Sequence, residues 1–288
     1  MNVPRREADN GRLRGKLFIL GAAVLWSFAG VFIKSFDLPA LTIVFYRSLF
    51  AGVFFLLFVR TLRVRAGRPL ALSALSYTAA ISSFVWANQL TSAGNAIVLQ
   101  YTAPIFVFVL ARVLLRESVS QADLRTLFVG MIGTAVIFLG SAREADLPGV
   151  AIATLSGFLF GLYMTSLKFL REVPPVLLTC ANNAACCLIL LPFVYSHLAL
   201  TAEQCLALAV MGVVQLGIPY FLFSKGVESV PVQEASLIAL IEPVLNPIWV
   251  ALVVRELPGP PTLAGGAIIL SGLAFRYLRG NRFVPAQR

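Results

Sequence analysis

Charge is scarce in this sequence: 12% of its 288 residues are Asp, Glu, Lys or Arg and 59% are hydrophobic, whereas soluble domains carry roughly a quarter charged residues. A chain this poor in charge cannot clothe a globular surface in water, which excludes a soluble domain and places it in a bilayer. Histidine is scarcer still, with His197 alone. That removes ordinary zinc sites and His-dependent nucleophiles, and no HExxH or intramembrane aspartate pair replaces them, so neither an enzyme nor a metal or cofactor site is expected. Cys180, Cys186, Cys187 and Cys205 form no CxxC pair. Lying in or beside apolar segments, they read as small packers rather than disulfide partners. Acidic residues number 13 against 23 basic ones, a formal charge of +10. The basic residues come in short tufts between apolar runs, without the aromatic-interleaved surface that nucleic acid would require. They report topology instead.

What the chain has in abundance is apolar length. A membrane-spanning helix needs roughly 20 mostly apolar residues, and polar or Pro/Gly punctuation marks off ten such runs: Leu17 to Phe36, Pro39 to Val59, Leu70 to Leu90, Ala93 to Leu115, Asp123 to Gly140, Gly149 to Leu170, Pro174 to Tyr195, Cys205 to Lys225, Val230 to Val254 and Thr262 to Tyr277. No alternating pattern for a barrel is present, so these are helices that satisfy their own backbones. Residues 1–16 read as a polar, basic cytoplasmic tail before a retained first helix, not a cleaved signal, and residues 279–288 as a second cytoplasmic tail. Assigning connections alternately puts 19 of the 23 basic residues inside and only Lys34, Arg143 and Arg255 outside, with Arg47 left within a helix. Both termini are therefore expected in the cytoplasm.

The chain also repeats itself. "LQYTAPIFVFVLARVLLRES" begins at Leu99, and "IALIEPVLNPIWVALVVREL" begins at Ile238; Pro104 falls on Pro243 and Glu117 on Glu256, at an offset of 139 (243 − 104). Nearer the start of each half Lys34 lies opposite Lys168, an offset of 134. The halves are residues 17–140 and 149–278, five helices each. An odd number of crossings enters the membrane upside down the second time, so an inverted repeat is expected. The loop charges agree: Arg112 and Arg125 correspond to Ala251 and Ala264, and the Arg60 to Arg68 loop to one without Lys or Arg.

Two related halves joined by an in-plane axis can exchange inward-open and outward-open shapes of similar energy, which is what alternating access requires. Pro104, Pro243, Pro247 and Pro219 each remove a helical hydrogen bond and are candidate hinges. Glu242 is an ionisable group in mid-helix, costly in hydrocarbon unless it faces the bundle interior. Asn246 and Trp249 follow it at i+4 and i+7 on one face. Trp26, Ser82, Trp86, Gln100, Tyr101 and Tyr163 complete a candidate cavity lining. The polar side chains among them can instead back-bond to their own helices, and the rings can belong to an interfacial belt. Arg47 is read as snorkelling to the outer surface, with a cation for a carboxylate as the alternative. Gly157 and Gly161 form a GxxxG that speaks only of close packing.

On "IEPVLNPIWVALVVRE" (241–256), "TAPIFVFVLARVLLRE" (102–117) and "FYRSLFAG" (45–52), the sequence resembles the EamA type of the drug/metabolite transporter superfamily over residues 17–278. Within that family the resemblance points foremost to the YddG-type aromatic amino acid exporters. The resemblance implies an all-α membrane protein of ten helices in two inverted repeats, with helices one, three, four, six, eight and nine around a central cavity. It departs at Arg116 and Arg255, which precede the closing glutamates where a Gly is usual. The expected function is alternating-access export of small metabolites, foremost amino acids with aromatic or apolar side chains, with the lipid bilayer as the other partner. The protein is expected to act as a monomer in the plasma membrane, the inner membrane if bacterial. Export of other metabolites or drugs, or a channel or lipid-handling role, is the alternative. Phosphorylated substrates fit poorly, since a phosphate would want several buried cations and Arg47 is the one available.

Overall fold

The computed structural model describes residues 5–60, 67–114, 121–141 and 146–280, excepting the side chains of 5–10, 123, 141, 232, 233, 279 and 280. The Arg116–Glu117 pair and Arg63, Arg65, Arg143, Arg282 and Arg288 fall outside the described residues. Among those described, every regular element is helical. Eight helices are long and apolar enough to cross a membrane, and two shorter apolar ones, Ala40–Leu56 and Leu124–Gly140, accompany them.

The first half comprises α1 (Arg5–Trp26), α2 (Ala29–Ser35), α3 (Ala40–Leu56), α4 (Arg68–Leu90), α5 (Ala93–Gln100), α6 (Ala103–Leu114) and α7 (Gln121–Ser141). The second comprises α8 (Leu147–Ser166), α9 (Pro175–Val194), α10 (Ala202–Val210), α11 (Ile218–Gly226), α12 (Val232–Ala239), α13 (Glu242–Val253) and α14 (Pro260–Gly280). Shifted by 139 residues, α5, α6 and α7 coincide end for end with α12, α13 and α14. Thus the fourth and ninth apolar runs are each two helices in series, broken at Tyr101–Thr102 and Leu240–Ile241, immediately before Pro104 and Pro243. Proline offers no N–H to the carbonyl four residues back, and its ring crowds that turn. The eighth run is interrupted differently: between α10 and α11 the chain widens into a π-helical turn, Met211–Gly217, ahead of Pro219. Helix α13, in contrast, runs unbroken across Pro247.

Packing follows the repeat. Helix α3 packs on its equivalent α9, and α7 on its equivalent α14, while the α4–α8 contact is exchanged by the repeat with α1–α11. Self-paired equivalents plus exchanged pairs are the contact pattern of a two-fold relation between the halves. Small residues permit the closest approaches. A Cβ at Gly133 would lie 2.7 Å from the Gly265 carbonyl oxygen across the α7–α14 crossing. The GxxxG of α8 has a specific use: Cβ atoms at Gly157 and Gly161 would lie 2.6 Å from the Leu99 oxygen and 2.9 Å from the Ala103 oxygen, so α8 seats directly against the α5–α6 break.

Candidate functional site

Both breaks open onto one cavity of ≈ 260 Å3. Tyr101, the residue at which α5 stops, points its hydroxyl at Glu242, the residue at which α13 starts. The hydroxyl donates to Glu242 Oε2 at 2.7 Å and lies 3.1 Å from the Ala239 carbonyl oxygen, the very group that Pro243 leaves without a helical donor. One side chain from the first half thus joins the two broken helices at their breaks. The wall around this pair is aromatic: Trp26 from α1, Tyr77 and Phe84 from α4, Phe160 from α8, Tyr220 and Phe223 from α11, and Tyr277 from α14. Trp26 stands edge-on to Tyr220 at 5.2 Å. Gln215, on the π-helical turn, donates through Nε2 to the Trp26 carbonyl at 3.1 Å, occupying an acceptor that the α1–α2 break exposes.

Two polar clasps lie away from the cavity. In one, Lys34 Nζ sits 2.7 Å from Glu256 Oε2 and donates to the Thr91 carbonyl at 2.8 Å. Glu256 Oε1 also accepts the Ala93 N–H at 2.7 Å, capping the first turn of α5. Asp146 accepts there from Thr91 Oγ1 and from Asn95 Nδ2. In the other clasp Arg12 and Lys16 each approach Glu234 to 2.6 Å. The two occupy equivalent places, since Arg12 maps to Asp146 at the 134 offset and Asn95 to Glu234 at the 139 offset.

The family pattern that matches this chain does so twice, over residues 13–139 and again over residues 147–278, and it is that of the EamA-like transporter family. The chain belongs to that family. An uncharacterized transporter of Archaeoglobus fulgidus is 29% identical over 261 residues, spanning 90% of this chain and 94% of its own. The uncharacterized transporter YdfC of Bacillus subtilis is 25% identical over 201 residues, 68% of this chain and 66% of its own. A solved crystal structure shares the fold with a TM-score of 0.66 over 94% of this chain and 100% of that one, at 17% identity. This EamA-like chain is therefore a multi-pass membrane transporter.

Within the EamA-like fold the residues singled out in the sequence divide into two groups. Trp26, Gln100, Tyr101, Pro104 and Glu242 line the cavity. Ser82, Trp86, Tyr163, Asn246 and Trp249 do not. Trp86 is 52% exposed on the outside of α4, because the cavity-facing stripe of that helix is Tyr77, Ile81 and Phe84, one step around from Thr78, Ser82 and Trp86. Tyr163 lies behind the wall, 5.2 Å from Tyr77 and 5.9 Å from Phe160. Asn246 is fully buried against Gly30, where a Cβ would come within 2.7 Å of its Oδ1. Trp249 clasps the α1–α2 break: its Nε1 donates to Ser27 Oγ at 2.9 Å, and its ring stacks on Phe28 at 5.2 Å. Pro219, Pro243 and Pro247 likewise stand outside the lining, the first two at interruptions of their helices.

Arg47 is the main correction. Instead of snorkelling outward it is 93% buried and lines the cavity, because α3 packs against α9, the π-helical turn and α4 and presents Arg47 to their junction. Helix α14 also reaches the cavity, through Tyr277, beyond the six helices that the resemblance implied. A charged residue deep in an apolar helix was the available signal for Arg47; Tyr77, Tyr220 and Tyr277 gave none, since tyrosines at these spacings are equally at home in a core.

Proposed function

We propose that this protein is an alternating-access exporter of small metabolites, foremost amino acids with aromatic or apolar side chains, carried in the cavity between its two halves. The observation that carries the reading is the Tyr101–Glu242 hydrogen bond, which joins two repeat-equivalent helix breaks at the cavity. A volume of ≈ 260 Å3 lies just under the roughly 300–1,000 Å3 of drug-sized pockets and suits a small metabolite. The aromatic wall suits a flat or apolar side chain, and Glu242 suits an ammonium group.

The chain crosses the membrane ten times, the two short apolar helices included, with both termini in the cytoplasm and the halves, residues 17–140 and 149–278, inverted relative to one another. Helix α3, with 17 residues, spans about 25 Å at 1.5 Å per residue and nearly matches a hydrocarbon core of about 30 Å. The protein acts as a monomer in the plasma membrane, with Pro104 and Pro243 as hinges. Counterflow into proteoliposomes of purified protein, across a panel of amino acids with and without a pH gradient, tests the reading. Saturable exchange of aromatic amino acids is the expected result, and exchange of none of the panel would overturn the substrate class.

A further inference from the structure

The bilayer interior penalises an ionised side chain even on the most lenient scale, so a buried cation ordinarily has a partner. Arg47 has none for two of its nitrogens: Nε and Nη1 are buried and meet no acceptor. Its exposure is 7% and it lines the cavity. Glu242, the carboxylate lining the same cavity, is engaged by Tyr101 and makes no ion pair with Arg47. Nor is Arg47 part of the symmetric frame. With the prolines that precede α3 and α9 aligned, Pro39 on Pro174 (an offset of 135), its equivalent in the second half is Asn182, fully buried and hydrogen-bonded to Ser73 at 3.1 Å. The architecture thus does without a charge at the matching position, and fold maintenance does not account for this one. Neighbouring Tyr77 is fixed by its bond to Asn183 at 3.1 Å, which sets the wall beside the guanidinium.

A planar guanidinium in a cavity wall, with two of its nitrogens unpartnered, has the chemistry that recognises a carboxylate, which a guanidinium can engage with two parallel hydrogen bonds. Glu242 and Gln215 line the same cavity and carry acceptors. Gln215 Oε1 is itself buried without a donor, although Nε2 of that side chain is satisfied. We infer that Arg47 is the carboxylate seat of the transport cavity, so that the cavity is bipolar and holds a zwitterion between Arg47 and Glu242. The inference rests on the proposed amino acid export for its ammonium half, whereas the carboxylate half stands on Arg47 alone. It also explains why an unpaired cation persists here: the substrate completes its coordination, and the empty carrier bears the cost.

The test uses three probes of one shape, phenylalanine, 3-phenylpropionate and phenethylamine, competing for uptake by the full-length protein in proteoliposomes. Wild type should favour the carboxylate-bearing probes over phenethylamine by about tenfold or more, the worth of one charged hydrogen-bond pair. Arg47→Gln should erase that preference, and Arg47→Lys should retain part of it, keeping the charge without the fork. The unliganded Arg47→Gln protein should melt at or above the wild-type temperature, because an unpaired buried charge has been removed. A wild type indifferent to the carboxylate, or an Arg47→Gln protein that keeps the preference, overturns the inference. So does a drop in melting temperature for Arg47→Gln with uptake of all three probes falling equally, which assigns the residue to the scaffold. Arg47-dependent selection of 3-phenylpropionate with no movement of phenylalanine would leave the carboxylate seat standing and remove the amino acid reading. Movement of phenylalanine regardless of residue 47 would do the reverse.

Discussion

A single hydroxyl stands between two acceptors at the centre of the molecule. Tyr101 has one proton to give and meets both the Glu242 carboxylate and the Ala239 carbonyl. When an ammonium group occupies Glu242, that proton can turn wholly to Ala239, so substrate binding need not leave a buried donor unmet. Glu242→Gln keeps the size and removes the charge; transport of zwitterionic amino acids should fall about tenfold with expression preserved, read by counterflow. If the variant instead transports normally and loses only its response to a pH gradient, Glu242 carries the proton and not the amine. A different residue-scale prediction concerns Arg255, which stops α13 with φ 63°, in the left-handed region. That conformation costs a side-chain-bearing residue about 1–2 kcal/mol, part of which glycine returns in chain entropy. Arg255→Gly should therefore stabilise the protein by about 0.5–1 kcal/mol, visible as a higher melting temperature in detergent. The same φ explains why glycine suits this place, as the family resemblance implies, although arginine fills it here.

Among the elements, the broken helices carry the consequences. Pro243→Ala supplies an N–H to the Ala239 carbonyl and so competes with Tyr101 for that oxygen, whereas Pro104→Ala heals the equivalent break without touching the Tyr101–Glu242 bond. The two variants should shift the conformational equilibrium in opposite senses, as spin-label distances across each mouth would report; unchanged distances in both would make the breaks static. The aromatic lining makes a sharper comparison. Trp26→Ala should weaken aromatic substrates by about 0.5–1.5 kcal/mol beyond area burial, since Trp26 borders the cavity. Trp86→Ala should leave their uptake unchanged, since Trp86 is not part of the cavity lining. Competition assays on the two variants check both expectations.

Over the whole molecule, the two clasps and the topology are one question. Lys34 and Glu256 tie α2 to the segment after α13, and Arg12 and Lys16 tie α1 to the start of α12, where the repeat exchanges Arg12 and Glu234 for the Asp146–Asn95 contact of the first clasp. In a cysteine-free background, Gly67→Cys should react with an impermeant reagent only after the inner face is exposed, while Ser196→Cys should react from outside. With that orientation, Lys34→Gln loosens the outer mouth and Glu234→Gln the inner one. Accessibility of a reporter cysteine at Trp26 from each side would measure it, and equal responses to both variants would refute the gating role of the clasps.

The sequence by itself determined the membrane class, the helical content and the register of the repeat, because these depend on local composition and spacing: apolar length, proline positions and a 139-residue offset that the helix ends reproduce. It also pointed to Tyr101 and Glu242, since an ionisable group beside a proline-broken helix is costly anywhere except at an interior site. The direction in which a side chain faces is set by neighbours far away in sequence. Helix α4 offers a polar stripe and an aromatic stripe one step apart, and only its packing against α8 and α9 decides that Tyr77 and Phe84 face inward while Trp86 faces out. Arg47 follows the same logic. An arginine that far into an apolar helix has stem enough to reach either surface or cavity, and the choice fell to the tertiary structure because α9 and the π-helical turn close over the route outward.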